Sequence, residues 1–215
     1  METIRTFNRY VAAPKRKPGR PPAGPERREA ILDAALHCFV DRGFHGTAIP
    51  DIAKKTGIAA GTIYHYFKSK EELVNALFRK WKAEIARRVF TAFPQGAPAR
   101  EQFAVMWREM VAFALANPAA FAFLELHNHS SYLDAESVAA DRGLKVFAGA
   151  MVQRAQQEGV VKPVNTVLLM ELVFGAFIGV LRAHWEGRTT LTEEEIAAAE
   201  QACWDAVATH PVAGR

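Results

Sequence analysis

Apolar residues in this chain recur at three- and four-residue spacing almost throughout, and nowhere does a run of β-branched residues alternate with period two. That pattern restricts the fold to packed helices. Ile31, Ala34/Ala35, Cys38 and Phe39 fall on one helical face, and Asp41-Arg42-Gly43 supplies a stop. Two short helices follow. Thr47 is placed to cap the first, with Pro50 tolerated in its opening turn and Gly57 at its end; the second covers about 60–67. Ser69 and Glu72 form an S-x-x-E capping box ahead of a longer helix, which breaks at Phe93-Pro94-Gln95-Gly96. Five further helices are expected at about 98–116, 119–131, 135–158, 164–186 and 192–209, giving an all-α chain of about nine helices.

Charge divides the chain. Residues 1–93 carry 18 Lys and Arg against 9 Asp and Glu, and residues 94–215 carry 9 against 14. A basic first part on an acidic second part places any polyanion at the first. Within residues 1–25, Lys15, Arg16, Lys17 and Arg20 stand among five prolines, a composition that opposes helix and sheet, so a disordered basic arm is expected. The expected division is then an arm (1–25), a helix-turn-helix (26–70) and a helical remainder (71–215). Cys38 and Cys203 lack ligand or disulfide spacing. The N-terminus has no secretory core, and the longest apolar stretch, Leu172–Leu181, is half of a bilayer crossing, so a cytoplasmic protein away from membranes is expected.

The chemistry concentrates in GFHGTAIPDIAKKTGIAAGTIYHYFKSKEEL, residues 43–73. Ile63 and Phe67 share the inward side of the second short helix. Thr62, Tyr64, His65 and Tyr66 give the outer side hydrogen-bonding groups on aromatic bodies, with Lys68 and Lys70 immediately after. A lysine in the first turn of a helix opposes the macrodipole, so Lys70 points to a phosphate rather than to fold stability.

These residues closely resemble the DNA-binding domain of the TetR family of bacterial transcriptional regulators. The likeness rests on Ile31-Leu32-Asp33-Ala34-Ala35, Phe39, Gly43, Thr47, Asp51-Ile52-Ala53, Gly57, Gly61-Thr62-Ile63-Tyr64-His65-Tyr66-Phe67 and Ser69-Lys70. It implies that the helix from Ala60 and Gly61 to Phe67 enters the major groove of double-stranded DNA, with Thr62 and Tyr64 near backbone or bases. Tyr66 and Lys70 would hold phosphates, and Thr47 would offer its hydroxyl and N–H to another at a helix start. Ala59 and Ala60 replace the long polar residue of many relatives, which thins base readout from that end and shifts weight to His65, Thr62, DNA shape and the arm. The arm's Gly19-Arg20-Pro21 centre resembles a minor-groove hook and stands beside the reading of a solvated tail.

In the second half, Phe103, Trp107, Met110, Phe113, Phe121, Phe123, Phe147 and Met151 fit a helical core. The resemblance implies instead an effector pocket for a small, largely apolar molecule, with Trp107, Met110, His127, Phe147, Met151 and Phe177 as its candidate residues. No cofactor or metal is expected: His127 and His129 at i, i+2 on a helix point apart and cannot share an ion. Nor is there a nucleophile elbow, a phosphate loop or an HExxH pattern, so no catalytic residue is assigned; an enzyme using His127 or His129 as base lacks a partner group. Helix 164–186, apolar around most of its circumference, reads as buried on several sides. With the small-residue stripe of helix 192–209, it looks like half of a four-helix homodimer interface, as the family implies. A ligand-released repressor on a palindromic operator follows from the resemblance. A sequence-independent architectural protein dominated by its arm is the rival.

Deleting residues 1–24 is expected to weaken duplex binding and flatten its salt dependence, read by titrations at several salt concentrations. Unchanged affinity and slope would remove the arm from the mechanism.

Overall fold

Proline opens and glycine closes the first helix among the described residues. The computed structural model describes residues 24–129 and 131–209; the arm with Arg16 and Arg20 lies outside them. Helix α1 spans Pro25–Arg42, proline taking a first-turn position where no N–H is needed. Gly43 closes it, its N–H donating to the Phe39 carbonyl at 2.8 Å. Next come α2 (Ile49–Thr56), α3 (Ala60–Tyr66) and α4 (Lys70–Ala92), then α5 (Ala99–Ala116), α6 (Pro118–Leu126), α7 (Ala135–Gln157), α8 (Thr166–Trp185) and α9 (Glu193–Val207). Among the described residues these nine helices meet the all-α expectation, and no strand longer than an isolated Val161–Ala208 bridge occurs.

The chain forms two compact units. One comprises the residues up to Glu84 together with Ala116–Ala140; the other comprises Ile85–Leu115 and the residues from Asp141 onward. The first unit is built on Ile31, Leu32, Phe39, Ile52, Ile63, Phe67, Leu73 and Leu77, all almost fully buried. Burying side chains of this size contributes roughly 1.5–3 kcal/mol each before chain entropy is counted. The second centres on Ala155, Val161, Leu169, Trp204 and Val207, with Phe103 and Val173 packed against them. Its helices are capped locally: Asn165 accepts from Leu168 N–H, and Thr192 with Glu195 forms a reciprocal capping box. Arg100 closes a two-pronged ion pair on buried Glu200, at 2.7 and 2.9 Å.

Two expectations need correction. Helix α6 stops at Leu126, not near 131. His127 is extended, and the His129 Nε2–H donates at 2.5 Å to the Phe123 carbonyl, which a continuing helix would have offered to residue 127. A side chain thus ends the helix from behind. Helix α8, expected to be buried on several sides, buries only Leu169, Phe177, Leu181 and Trp185 in the single chain. Val167, Leu168 and Leu172 are 63, 59 and 53% exposed. Nor does length exclude a bilayer role: Thr166–Trp185 is long and apolar enough to cross one by length and composition. The ten-residue count stopped at single charges, Glu171 and Arg182, that a longer stretch averages over.

Replacing Arg100 with Met is expected to leave the Glu200 carboxylate buried without its partner. The loss should be roughly 1–3 kcal/mol, between exposed and fully buried pairs, read from chemical denaturation.

Candidate nucleic-acid interface

The turn between α2 and α3 is set by Gly57, whose φ of 70° and ψ of 10° suit a residue without a Cβ. Its N–H returns to the Ala53 carbonyl at 2.9 Å. Thr56 tightens the same corner, its hydroxyl donating to the Ile52 carbonyl at 3.0 Å and accepting from Ile58 N–H at 3.1 Å. Helix α3 is then held from one side by Ile63 and Phe67, both buried. Its opposite side is open: Tyr64 is 51% exposed, Gly61 and His65 are exposed, and Ala60, Thr62 and Tyr66 are half-buried. Lys68 is exposed just beyond. Tyr66 also has an internal role, its hydroxyl donating to the Gly24 carbonyl at 3.3 Å.

Beyond α3, Ser69 accepts from Glu72 N–H as the capping box requires, at 3.1 Å. The returning carboxylate takes Lys68 N–H at 2.7 Å, one residue earlier than the motif predicts. Lys54 and Lys55 end α2 as exposed cations. Arg42 and Asp51 tie the end of α1 to α2 at 3.3 Å.

Two residues carry structural duties that their sequence reading did not assign. Thr47 does not cap α2; Ala48 holds that position, its N–H donating to Asp51 at 3.2 Å. The Thr47 side chain is buried, and its hydroxyl serves the Cys38 and Gly43 carbonyls, so it does not stand out toward a phosphate. Lys70 reaches back across 26 residues: Nζ donates to the Phe44 carbonyl at 2.8 Å and the Thr47 carbonyl at 2.9 Å, 4.2 Å from the Phe44 ring centroid. The argument that fold stability gives no reason for Lys70 therefore fails. The ammonium satisfies two loop carbonyls and sits on an aromatic face, both favourable for a cation.

Of the expected effector-pocket residues, Trp107 and Phe177 are buried and meet edge to face, with centroids 5.5 Å apart. Phe103 stacks on Trp107 and reaches Trp204. The Trp107 indole N–H has no hydrogen-bond partner. Met110, Phe147 and Met151 are half-buried, Phe147 lying against Phe90 and Phe93, each at 4.9 Å. His127 is a residue of the other compact unit, where burial holds its imidazole below the usual histidine range. No group of three or more metal-ligating side chains occurs among the described residues. The helical argument against a His127–His129 ion loses its premise, because the helix ends before both. His129 has each ring nitrogen in a hydrogen bond instead, to the Phe123 carbonyl and the Tyr132 hydroxyl.

Sequence reasoning missed Asn75 and Tyr132. Asn75, 3% exposed, donates to the Glu71 and Tyr132 carbonyls and accepts from Asp134 N–H. A lone amide between buried Val74 and Leu77 was the available signal.

Comparison with known proteins agrees along the chain. The family described as bacterial regulatory proteins, tetR family, matches residues 31–77, and that described as tetracyclin repressor-like, C-terminal domain, matches residues 78–209. The chain is 27% identical over 148 residues to the fatty acid metabolism regulator protein of Bacillus subtilis, covering 67% of this chain and 76% of that one. Over 62 residues it is 42% identical to the HTH-type transcriptional repressor KstR2 of Mycolicibacterium smegmatis, 29% of this chain and 30% of the other. A crystal structure of a TetR family transcription regulator from Marinobacter aquaeolei superposes with TM-score 0.77 at 28% identity, covering 85% of this chain and 96% of that one.

Two substitutions separate contact from support. Tyr64→Ala should leave thermal stability within about 0.5 kcal/mol, being exposed, while weakening binding to duplex DNA selected from a random pool. Lys70→Met should also lower stability, by roughly 1.5–3 kcal/mol for its charged hydrogen bonds, in a thermal melt.

Proposed function

The chain belongs to the TetR family of bacterial transcriptional regulators and is a DNA-binding regulator; from that premise we propose that it acts as a homodimeric repressor of a palindromic operator, released by a small, largely apolar effector. The carrying observation is the outward row of α3, with Tyr64 and His65 exposed on a helix whose other side is locked by Ile63 and Phe67. Short, rigid and aromatic-polar, that row suits a major groove, where hydroxyl and imidazole groups reach phosphates or base edges. Thr62, Tyr66 and Lys68 flank it, and Lys70 contributes by fixing the loop before α2. Regulation rather than catalysis is the activity, in the cytoplasm with the DNA.

A single helix-turn-helix per chain grips weakly, and a two-fold dimer on two half-sites multiplies that grip. Support for the dimer comes from α8. Leu168 and Leu172, four residues apart and both exposed, continue into Gly175 and Ala176. A Cβ at Gly175 or Gly179 would meet nothing within 4 Å, leaving room for a partner helix to approach. Water at such a stripe costs about 25 cal/mol per Å² of apolar surface, which a second copy removes.

The effector reading rests on the aromatic group around Trp107 and Phe177, with Met110, Phe147 and Met151 half-buried. The Bacillus relative's name, a regulator of fatty acid metabolism, agrees with an apolar ligand. Release requires the effector to bind the DNA-incompetent arrangement more tightly, since equal affinity shifts nothing.

Selection of duplexes from a random pool, followed by footprinting, tests the operator. A palindrome is expected, and binding governed by salt alone, without sequence preference, would instead support the architectural rival. Thermal shifts with fatty and aromatic acids, repeated with the selected duplex, test the effector. Leu168→Arg is expected to halve the sedimentation mass and to weaken operator binding at least tenfold. A dimer that persists would remove α8 from the interface.

A further inference from the structure

The loop between α1 and α2 is short and tight. Gly46 passes so close to the Arg42 carbonyl that a Cβ there would collide with it. From within the first 84 residues it is held by the Thr47 hydroxyl and the Lys70 ammonium. The Phe44 ring meets that ammonium at 4.2 Å, and Phe39 lies 6.2 Å away.

A further ring on Phe44 comes from far along the sequence. Tyr132, in the segment between α6 and α7, stacks on Phe44 with centroids 4.2 Å apart and planes 23° from parallel. This is closer than the Phe39 contact. Tyr132 is itself fixed at two points, and its segment at a third. Its hydroxyl donates at 2.8 Å to Nδ1 of His129, whose Nε2–H is committed to the Phe123 carbonyl. That carbonyl can only accept, which settles the imidazole tautomer and leaves Nδ1 as the acceptor. The Tyr132 carbonyl accepts from Asn75 at 2.8 Å. Two residues on, Asp134 N–H donates to the same amide while its carboxylate takes the Arg79 guanidinium at 2.7 Å. Burial pushes the Tyr132 phenol up to about 12, so the hydroxyl remains a donor across ordinary pH.

The segment is part of the sequence matched by the C-terminal family, residues 78–209, yet it folds into the same compact unit as the helix-turn-helix. Its one aromatic on the loop before α2 is pinned by an imidazole, an amide and an ion pair. A buried phenol hydroxyl and a buried carbonyl need partners wherever they lie, but here the partners are an imidazole that is itself fixed and an amide on α4, so they also hold the ring against rotation and sliding. Polar fixation sets where the ring sits.

We propose that Tyr132 is a positioning residue for DNA binding: stacked on Phe44 and held by His129 and Asn75, it fixes the loop from which α2 starts, and so the presentation of α2 and α3 to the duplex. The segment after α6 thereby governs operator affinity without touching DNA. The inference rests on the DNA-binding reading of α3 and needs no particular effector.

The test uses the full-length protein and a duplex that the wild type selects from a random pool. Tyr132→Leu is expected to weaken binding about tenfold or more and to speed hydrogen exchange at the amides of residues 44–47, while the thermal midpoint and the exchange of α8 and α9 stay near wild type. Tyr132→Phe keeps the stack and the Asn75 bond but loses the bond to His129, so its affinity should fall between those of the wild type and Tyr132→Leu. Tyr132→Met serves the same comparison if Leu prevents folding. Wild-type affinity in the Leu and Met variants overturns the proposal. So does a Phe variant as weak as Leu, or a loss of exchange protection spread evenly over the chain. A wild type that selects no duplex sinks the DNA-binding reading and this proposal with it, whereas selective wild-type binding with indifferent Tyr132 variants sinks this proposal alone.

Discussion

Two carbonyls, those of Phe44 and Thr47, lie in the short loop between α1 and α2, and the Lys70 ammonium takes both. Much of the first unit depends on this reach. A buried or half-buried carbonyl without a donor costs on the order of 1–3 kcal/mol, and the loop is too tight to turn both toward water. Lys70 lies at the start of α4, so its grip fixes the beginning of that helix against the start of α2, with α3 between them in sequence. The Phe44 ring beneath the ammonium makes the contact favourable twice over, by hydrogen bond and by cation–π attraction. A cation at a helix N-terminus is unfavourable to the dipole, by roughly 0.3–1 kcal/mol. The charged hydrogen bonds exceed that cost, so the local rule yields to a longer-range one.

This is also where the sequence could be read and where it could not. Helix positions followed from apolar spacing and punctuation, because the glycines at 43 and 57 and the Ser69 cap act within a few residues of themselves. The outward row of α3 was legible for the same reason: with Ile63 and Phe67 inward, helical geometry leaves Tyr64 and His65 outside. The duties of Thr47 and Lys70 were not legible. Their partners are carbonyls of Cys38, Gly43, Phe44 and Thr47 itself, and a carbonyl leaves no mark in the residue letters. Motif reading therefore assigned to a phosphate two groups that the fold also employs.

The early end of α6 has the same origin. Leu126-His127-Asn128-His129 carries only a weak helix stop, Asn128, since glycine and proline are absent. The stop is made by His129 folding back onto the Phe123 carbonyl, a bond that needs the buried pocket lined by Phe78 and Phe123. Tertiary burial thus wins over the local preference of an apolar helix to continue. The consequence reaches further than one boundary. Ending the helix at Leu126 is what lets Tyr132 lie on Phe44 and lets Asn75 collect its carbonyl.

Helix α8 shows the opposite failure, in which a correct pattern led to an incorrect burial. An apolar circumference means that water must be excluded, but it does not say by which chain. In one copy, α8 hides Leu169, Phe177, Leu181 and Trp185 and leaves Val167, Leu168 and Leu172 more than half exposed. Within the chain the helix therefore satisfies one side of its hydrophobic demand and leaves the other outstanding. Three large exposed side chains on one helix are an apolar surface of the kind that association covers, which is the demand that the proposed dimer meets. Glycines at 175 and 179 fit this better than they fit a self-contained core, since open space beside them brings no packing to the single chain and costs helix propensity. Their absent side chains gain value only when a second backbone comes near.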